Sequence, residues 1–408
     1  MTQAVKPKTE TSTPAGVNWK EYGTYAGAAI ALLIAFALLW PERVGSAPNL
    51  ARMLTTTITG LLVGGIYSLI ALGIVVINKA SGVFNFAHGY MMLTGALIFH
   101  TFFARTDVSL VAVFVLALVT VITVISMNGL RDLRNPRNLA IGAVAVIVLT
   151  VLMYFPSGDL KLFRAVVGAG VGSVLLGLLT ERLAIRPLIG QPLFAAVLMT
   201  LAVNELLHGF TQLFWGSVEI PLQVFNGVSS LGIDYPTYIY NASDTFLEGR
   251  VIINTQLSIA FALSLLAFAG FVAFFRYTNV GLAMRATAED QQLAQSVGLR
   301  VRFILAVAWA IAALLATVAG VLQGGATSLS QNLPLIALSA FPAVLLGGLE
   351  SIGGALIGGL VIGLVQEWAN LMFPGTQAGT ELAPYLVLMV VLVIRPDGLF
   401  GQKRIERI

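Results

Sequence analysis

A succession of long apolar runs leaves this chain one solvent to fold in. They fall at 22–40, 54–77, 90–103, 110–127, 140–155, 163–179, 193–215, 253–275, 304–322, 335–349, 352–373 and 382–394. A helix needs about 20 predominantly apolar residues to cross a bilayer core of about 30 Å. Several runs are shorter, which points to tilted, broken or re-entrant segments. The expected fold is all-α: a polytopic membrane protein with about 10–12 transmembrane or re-entrant helices. Only 10% of residues are charged, against about 25% in soluble domains, so a globular domain with one anchor is excluded. The chain has no cysteine, which removes disulfides, thiolate metal sites and thiol nucleophiles.

The charges predict an orientation. Arg131, Arg134 and Arg137 share one short loop, and Arg182 and Arg186 lie in another. Arg276, Arg285, Arg300 and Arg302 lie in a third, and Arg395, Lys403, Arg404 and Arg407 follow the last run. Counting spans from a cytoplasmic N-terminus puts every cluster on one side. The positive-inside rule makes that side the cytoplasm. The segment 216–250 falls on the opposite side, and Glu219, Asp234, Asp244 and Glu248 outweigh Arg250 there. Residues 1–17 are polar, with no apolar run of the kind a cleavable leader needs. The expectation is a disordered cytoplasmic tail over 1–20, a transmembrane domain over 21–400 and a second cytoplasmic tail over 401–408.

A polar island interrupts the apolar pattern between the runs at 253–275 and 304–322. From Arg285 to Arg302 it carries Glu289, Asp290 and Arg300 with several Gln. A chain this hydrophobic keeps such a stretch where water or a protein partner meets it. Thr287 followed by Asp290 has the spacing of a capping box, and Gly298 suits a helix end. Leu293, Ala294 and Val297 would share a helix face. The island is expected to be a short surface docking helix over 289–298.

Other polar features are weaker. Asn85-Phe-Ala-His88-Gly89, just after Lys79-Ala-Ser81-Gly82, separates two apolar runs without a proper loop. Polar backbone there must be buried in protein, face a cavity or form an ordinary turn. Many of the 41 glycines lie inside apolar runs, among them Gly60, Gly64, Gly65 and Gly73, and later Gly354, Gly358, Gly359 and Gly363. Small residues at four-residue spacing let helix backbones approach closely. Glu205-Leu-Leu-His208 has the E-x-x-H spacing of carboxylate-bridged metal sites, but one copy lacks the remaining ligands; a polar pair at a helix end is the simpler expectation. Glu367 sits in an apolar run near its end. The sequence contains no P-loop, Gly-x-Ser-x-Gly elbow or H-E-x-x-H motif.

These residues together resemble a family. Gly65-Ile-Tyr67-Ser-Leu-Ile-Ala-Leu-Gly73 followed by Val83-Phe-Asn85-Phe-Ala-His88-Gly89 is similar to the N-terminal signature of LivH-type permeases of branched-chain amino acid ABC importers. Glu181-Arg182-Leu-Ala-Ile-Arg186-Pro187 resembles that family's cytoplasmic loop. The island, with Arg285, Glu289, Asp290, Ala294 and Gly298, resembles its ATPase-coupling loop, here 276–303. Gly347-Gly-Leu-Glu-Ser-Ile-Gly353-Gly and Arg395-Pro396-Asp-Gly398-Leu-Phe-Gly401 resemble its C-terminal signatures. Two parts depart from the pattern: an extra N-terminal span at 22–40 and an insertion at about 106–161.

The resemblance implies a multi-pass subunit of the plasma (bacterial inner) membrane, a transport subunit and not an enzyme. Its partners would be a second homologous permease subunit, two cytoplasmic ABC ATPases and an extracytoplasmic substrate-binding protein, with the lipid membrane around it and no nucleic acid. The chain itself would hold no cofactor, since ATP-Mg belongs to the ATPase subunits. The implied coupling residues are Arg285, Glu289, Asp290, Ala294 and Gly298; the implied translocation-path residues are Tyr67, Gly82, Asn85, His88 and Gly89, with no catalytic or metal site. Branched-chain or hydrophobic amino acids are the expected substrate, because a zwitterion can be held by backbone groups at broken helix ends. Urea or short amides carried by the same kind of importer are the alternative, and an ion-coupled secondary transporter is a further one.

Overall fold

The computed structural model describes residues 49–401 apart from 106, 128, 157, 223, 225–236, 242–248, 290 and 375–377. The expected span at 22–40, both tails beyond this range, much of 216–250 and Asp290 lie outside the described residues.

Nearly every apolar run is a helix, and the caps show why each begins where it does. Helix α1 (Leu50–Ser81) starts at Asn49, whose side chain accepts from the Arg52 N–H at 3.0 Å, and ends at Gly82 with φ +70°. It is 32 residues long, about 48 Å, so it reaches beyond the hydrocarbon at its ends. Helix α2 (His88–Ala104) follows, then α3 (Leu110–Ile125), capped by Ser109, and α4 (Pro136–Tyr154), capped by Asn135 with proline at its first turn. Helix α5 (Lys161–Leu179) runs into a π turn (Thr180–Ile185) and a 3-10 turn (Arg186–Leu188). Helix α6 (Leu193–Trp215) leads toward an antiparallel hairpin of β1 (Thr237–Asn241) and β2 (Arg250–Asn254). Then come α7 (Thr255–Tyr277), α8 (Asn279–Glu289), α9 (Gln291–Ser296) and α10 (Val301–Ala326). The chain closes with α11 (Leu333–Ser339), α12 (Phe341–Gly347), α13 (Ile352–Met372) and α14 (Ala378–Ile394). Among the described residues, seven helical stretches are long and apolar enough to span a membrane.

Helix α1 is the core. Of its most apolar stretch 83% is buried within the chain, and 72% of that of α10, against 17% for α4 and α6. The last two therefore turn most of their surface to lipid or to another protein. Exposed Leu139, Ile141, Val144, Ile147 and Val151 make α4 an apolar wall in the expected insertion.

The glycines of the two ends of the chain meet each other. A Cβ on Gly64 would lie 2.8 Å from Leu360 Cα, and one on Gly60 would lie 2.9 Å from Leu364 Cα. So α1 and α13 touch backbone to backbone, as small residues permit. Ser68 Oγ, in the same seam, lies 2.8 Å from both the Gly64 and the Leu356 carbonyl oxygens.

The bundle has two distinct ends. At one, the Ile252 N–H donates to Thr55 Oγ1 at 3.2 Å, Gln256 donates to the Gly325 carbonyl, and residues 220 and 329 form a β-bridge. At the other, Lys79 Nζ donates to the Glu350 carbonyl at 3.1 Å, and the Leu399 N–H donates to the Leu346 carbonyl at 2.8 Å. Arg131 shares a cleft there with Arg300 and Arg302, and Arg285 shares another with Lys79 and Phe400. Among the described residues, the arginines of these clusters thus gather at one end, as their spacing along the chain predicts.

The short run at 335–349 is a broken segment of the kind expected: it breaks at Ala340, before Phe341 and Pro342, into α11 and α12. Two expectations need correction. Thr287 does not cap a helix. It lies buried inside α8 and its hydroxyl donates to the Ala283 carbonyl at 2.8 Å. Thr278 starts that helix instead, its Oγ1 accepting from the Gly281 N–H at 3.0 Å, and the island is two short helices. Glu205 and His208 are not at a helix end but in the middle of α6.

Candidate functional site

Between α1 and α2 the chain turns back into the bundle. The positive φ of Gly82 ends α1, with its N–H on the Asn78 carbonyl at 2.7 Å. Residues 83–87 then run without helix to His88. A Cβ on Gly73 would lie 2.7 Å from His88 Nε2, so the imidazole packs against α1 at that glycine. Gly73 is eight residues before Ser81, about 12 Å inside the helix end. His88 therefore stands well within the bundle, and the missing side chain at Gly73 makes the room.

Non-helical backbone at that depth must find partners in the protein. Asn85 is fully buried, and its Oδ1 accepts from the Ala87 N–H at 3.0 Å. Thr200 of α6 supplies the rest: its Oγ1 accepts from the Phe86 N–H at 3.3 Å and lies 3.3 Å from the Phe84 carbonyl oxygen. The Phe84 and Phe86 rings pack on Phe341 with centroids 4.7 and 5.7 Å away, at the break between α11 and α12. A Cβ on Gly89 would meet the Pro334 carbonyl oxygen at 2.7 Å. So a re-entrant segment, the first turn of α2 and a broken helix converge. Neither ring nitrogen of His88 has a hydrogen-bond partner among the described residues.

Among the residues implied for the path, the structure brings Asn85, His88 and Gly89 together and sets Gly82 at the mouth of the segment. Tyr67 lies elsewhere, buried in α1 and hydrogen-bonded to Gln366 of α13. Thr200, Gly73, Pro334 and Phe341 are the neighbours that sequence reasoning missed. The four-residue spacing of Thr200, Asn204, His208 and Gln212 within an apolar run was the one signal that could have pointed to α6.

The polar island is anchored to the bundle. Arg285 folds back, donating to the Phe275 carbonyl and placing its guanidinium 5.4 Å from the Phe275 ring centroid. Ala294 is buried. Gly298, at φ +88°, ends α9, and the Leu299 N–H donates back to the Ala294 carbonyl at 3.0 Å, a glycine-ended helix stop. Leu282, Leu293 and Val297 are exposed, as is Glu289. Beneath α8 a cleft of about 970 Å³ is lined by Lys79, Gly82, Arg285, Glu289, Glu350 and Phe400. It joins the foot of the re-entrant segment to the island.

A third polar group secures the end of α5. Glu181, 1% exposed, takes both a 2.9 Å bond from Arg186 Nε and a 2.7 Å bond from Arg186 Nη2. Arg186 also donates to the Met127 carbonyl at 3.3 Å, and Arg182 donates to Ser126 Oγ. The π turn places the carboxylate under the guanidinium and clamps α5 to the end of α3.

A membrane-embedded helical bundle with a broken span, a re-entrant segment and an anchored polar loop at its arginine-rich end defines the class: a multi-pass membrane permease. Residues 136–394 match the family described as branched-chain amino acid transport system / permease component, and the chain belongs to that family. It is 25% identical over 352 residues to the high-affinity branched-chain amino acid transport system permease protein LivH of Escherichia coli (strain K12), covering 86% of this chain and 96% of that one. The corresponding permease protein BraD of Pseudomonas aeruginosa is 26% identical over 366 residues, 88% of this chain and 100% of its own. A probable branched-chain amino acid transport permease protein LivH of Methanocaldococcus jannaschii is 29% identical over 255 residues, 58% of this chain and 75% of its own. No solved structure is significantly similar to the chain.

Proposed function

We propose that this chain is the membrane-spanning permease subunit of an ATP-driven ABC importer for branched-chain or other small hydrophobic amino acids. The observation that carries the proposal is the island: two short helices that hold exposed Leu282, Leu293, Val297 and Glu289 at the arginine-rich end, fixed to α7 by Arg285. Apolar side chains on a charged, helical, water-facing loop suit helix-in-groove recognition by another protein. The positive-inside rule assigns that end to the cytoplasm, where an ATPase would meet it. The full assembly would hold a second permease subunit, two ATPases carrying ATP-Mg and an external binding protein.

In this mechanism the ATPases move α8 and α9 as they close on nucleotide. Arg285 passes the motion to the end of α7, and the cleft beneath α8 links it to the foot of the re-entrant segment. The segment from Lys79 to Gly89, with Asn85 and His88, supports the path on the other side of α1. A zwitterionic substrate needs few fixed charges there, because broken helices offer backbone donors and acceptors.

Vanadate-sensitive leucine uptake into proteoliposomes with the purified partners tests the reading. Uptake that ignores ATP and follows an ion gradient would sink it. Glu289→Lys is expected to abolish coupled uptake at least tenfold while the protein still inserts and assembles; normal uptake in that variant would refute the docking role. Calorimetry on the cognate binding protein separates substrates: tight binding of urea or an amide with none of leucine would replace the amino acid and leave the importer intact.

A further inference from the structure

We propose that a polar row on α6 lines the substrate path at mid-membrane, and that Glu205 receives the ammonium group of the transported zwitterion. This rests on the importer reading above. The row is Thr200, Asn204, His208 and Gln212 at four-residue spacing, with Glu205 beside it. Helical residues four apart lie on one face.

Glu205 is the thirteenth of the 23 residues of α6, so it stands near the centre of an apolar span. Its side chain is 74% exposed. Its Oε1 accepts from Asn204 Nδ2 at 3.2 Å, and its Oε2 lies 3.6 Å from His208 Nδ1. The other His208 nitrogen is 2.8 Å from Gln212 Nε2, and the imidazole lies over Tyr90 with centroids 4.9 Å apart. The row is thus built: Asn204, Glu205, His208 and Gln212 adjoin one another in a chain of polar contacts, Thr200 is held to the re-entrant segment, and α2 steadies the imidazole. What it presents outward is a carboxylate with lone pairs to spare.

Lipid does not fit this face. A polar or ionisable side chain inside a membrane faces the bundle interior or a water-filled cavity. The adjoining exposed face of the same helix is the lipid-compatible one, with Leu206, Phe210 and Leu213. A packed subunit contact fits poorly too, because the centres of protein interfaces are depleted of charge. The row is continuous with the re-entrant segment, since Thr200, one turn before Asn204, holds the Phe84–Phe86 backbone. A wet wall running from mid-span to that segment satisfies all of these observations. An ammonium, with its charge and three N–H donors, is the complement of an exposed acceptor-only carboxylate.

The test uses the complete reconstituted transporter and leucine. Glu205→Gln is expected to raise the KM for uptake at least tenfold, with Glu205→Asp recovering a substantial part. The chain has no cysteine, so Glu205→Cys gives an independent reading. It is expected to react with a water-soluble thiol reagent, to be protected by leucine, and to change rate with nucleotide state. Leu206→Cys on the lipid face is expected to stay unreactive. Labelling without any effect of Glu205→Gln on uptake would overturn the ammonium contact. Failure to label in every nucleotide state would overturn the path-lining role, and so would cross-linking of Glu205→Cys to the second permease subunit. In those cases continued vanadate-sensitive uptake by the native protein would leave the importer reading standing.

Discussion

Removing one partner of the Glu181–Arg186 pair should cost very different amounts depending on which is removed. Both bonds are short, at 2.7 and 2.9 Å, but the carboxylate is 1% exposed and the guanidinium 19%. Arg186→Met strands a buried carboxylate, and breaking a buried pair in this way costs about 3–5 kcal/mol. Glu181→Gln keeps an acceptor oxygen under the guanidinium. The arginine retains the Met127 carbonyl and can turn its charge to water, so the loss is that of roughly one charged hydrogen bond, about 1.5–3 kcal/mol. Glu181→Leu combined with Arg186→Met removes both charges at similar volume, and such replacements are close to neutral. The expected order of damage is Arg186→Met, then Glu181→Gln, then the double variant. Unfolding in mixed micelles, titrated with a denaturing detergent under one set of conditions, measures all three. A Glu181→Gln loss equal to that of Arg186→Met, or a double variant as damaged as the two single losses added, would refute the desolvation argument.

The α1–α13 seam gives a second expectation. Gly64→Ala puts a methyl 2.8 Å from Leu360 Cα and 3.0 Å from the Gly359 carbonyl oxygen. Backbone cannot swing aside, so the helices must part, at about 1–3 kcal/mol in the same titration; an unchanged midpoint would show that the seam is loose. Thr200→Val leaves the Phe86 N–H buried without its acceptor, a loss of about 1–3 kcal/mol. Thr200→Ser should restore most of it; a harmless Thr200→Val beside a damaging Thr200→Ser would mean that the methyl group matters and the hydroxyl does not.

Hydropathy alone carried the helices: the run at 193–215 coincides with α6, and most of the others agree with their helices within a few residues at each end. The positions of the arginine clusters along the chain also foretold that they gather at one end of the bundle. Gly298 was legible as a helix stop, because a glycine after a short polar helix has a local conformational reason to be there. Thr287 was misread, since a capping box and a mid-helix threonine bonded to its own preceding turn share the same local sequence; Thr278, nine residues earlier, decided the matter.

What the sequence by itself determined was therefore everything that one segment settles with its solvent: spans, polar island, stops. The tertiary structure decided the rest. It alone set Gly64 against Leu360, almost 300 residues apart, placed His88 beside Gly73, and gave the re-entrant backbone its partner in Thr200. It also moved Glu205 from an expected helix end to the exposed middle of a span, which changes its meaning. The reason is physical. Transfer into a membrane sums over neighbouring residues and is written in any window of the chain. Close approach, polar satisfaction and the direction a side chain faces depend on which distant helix fills the space beside it.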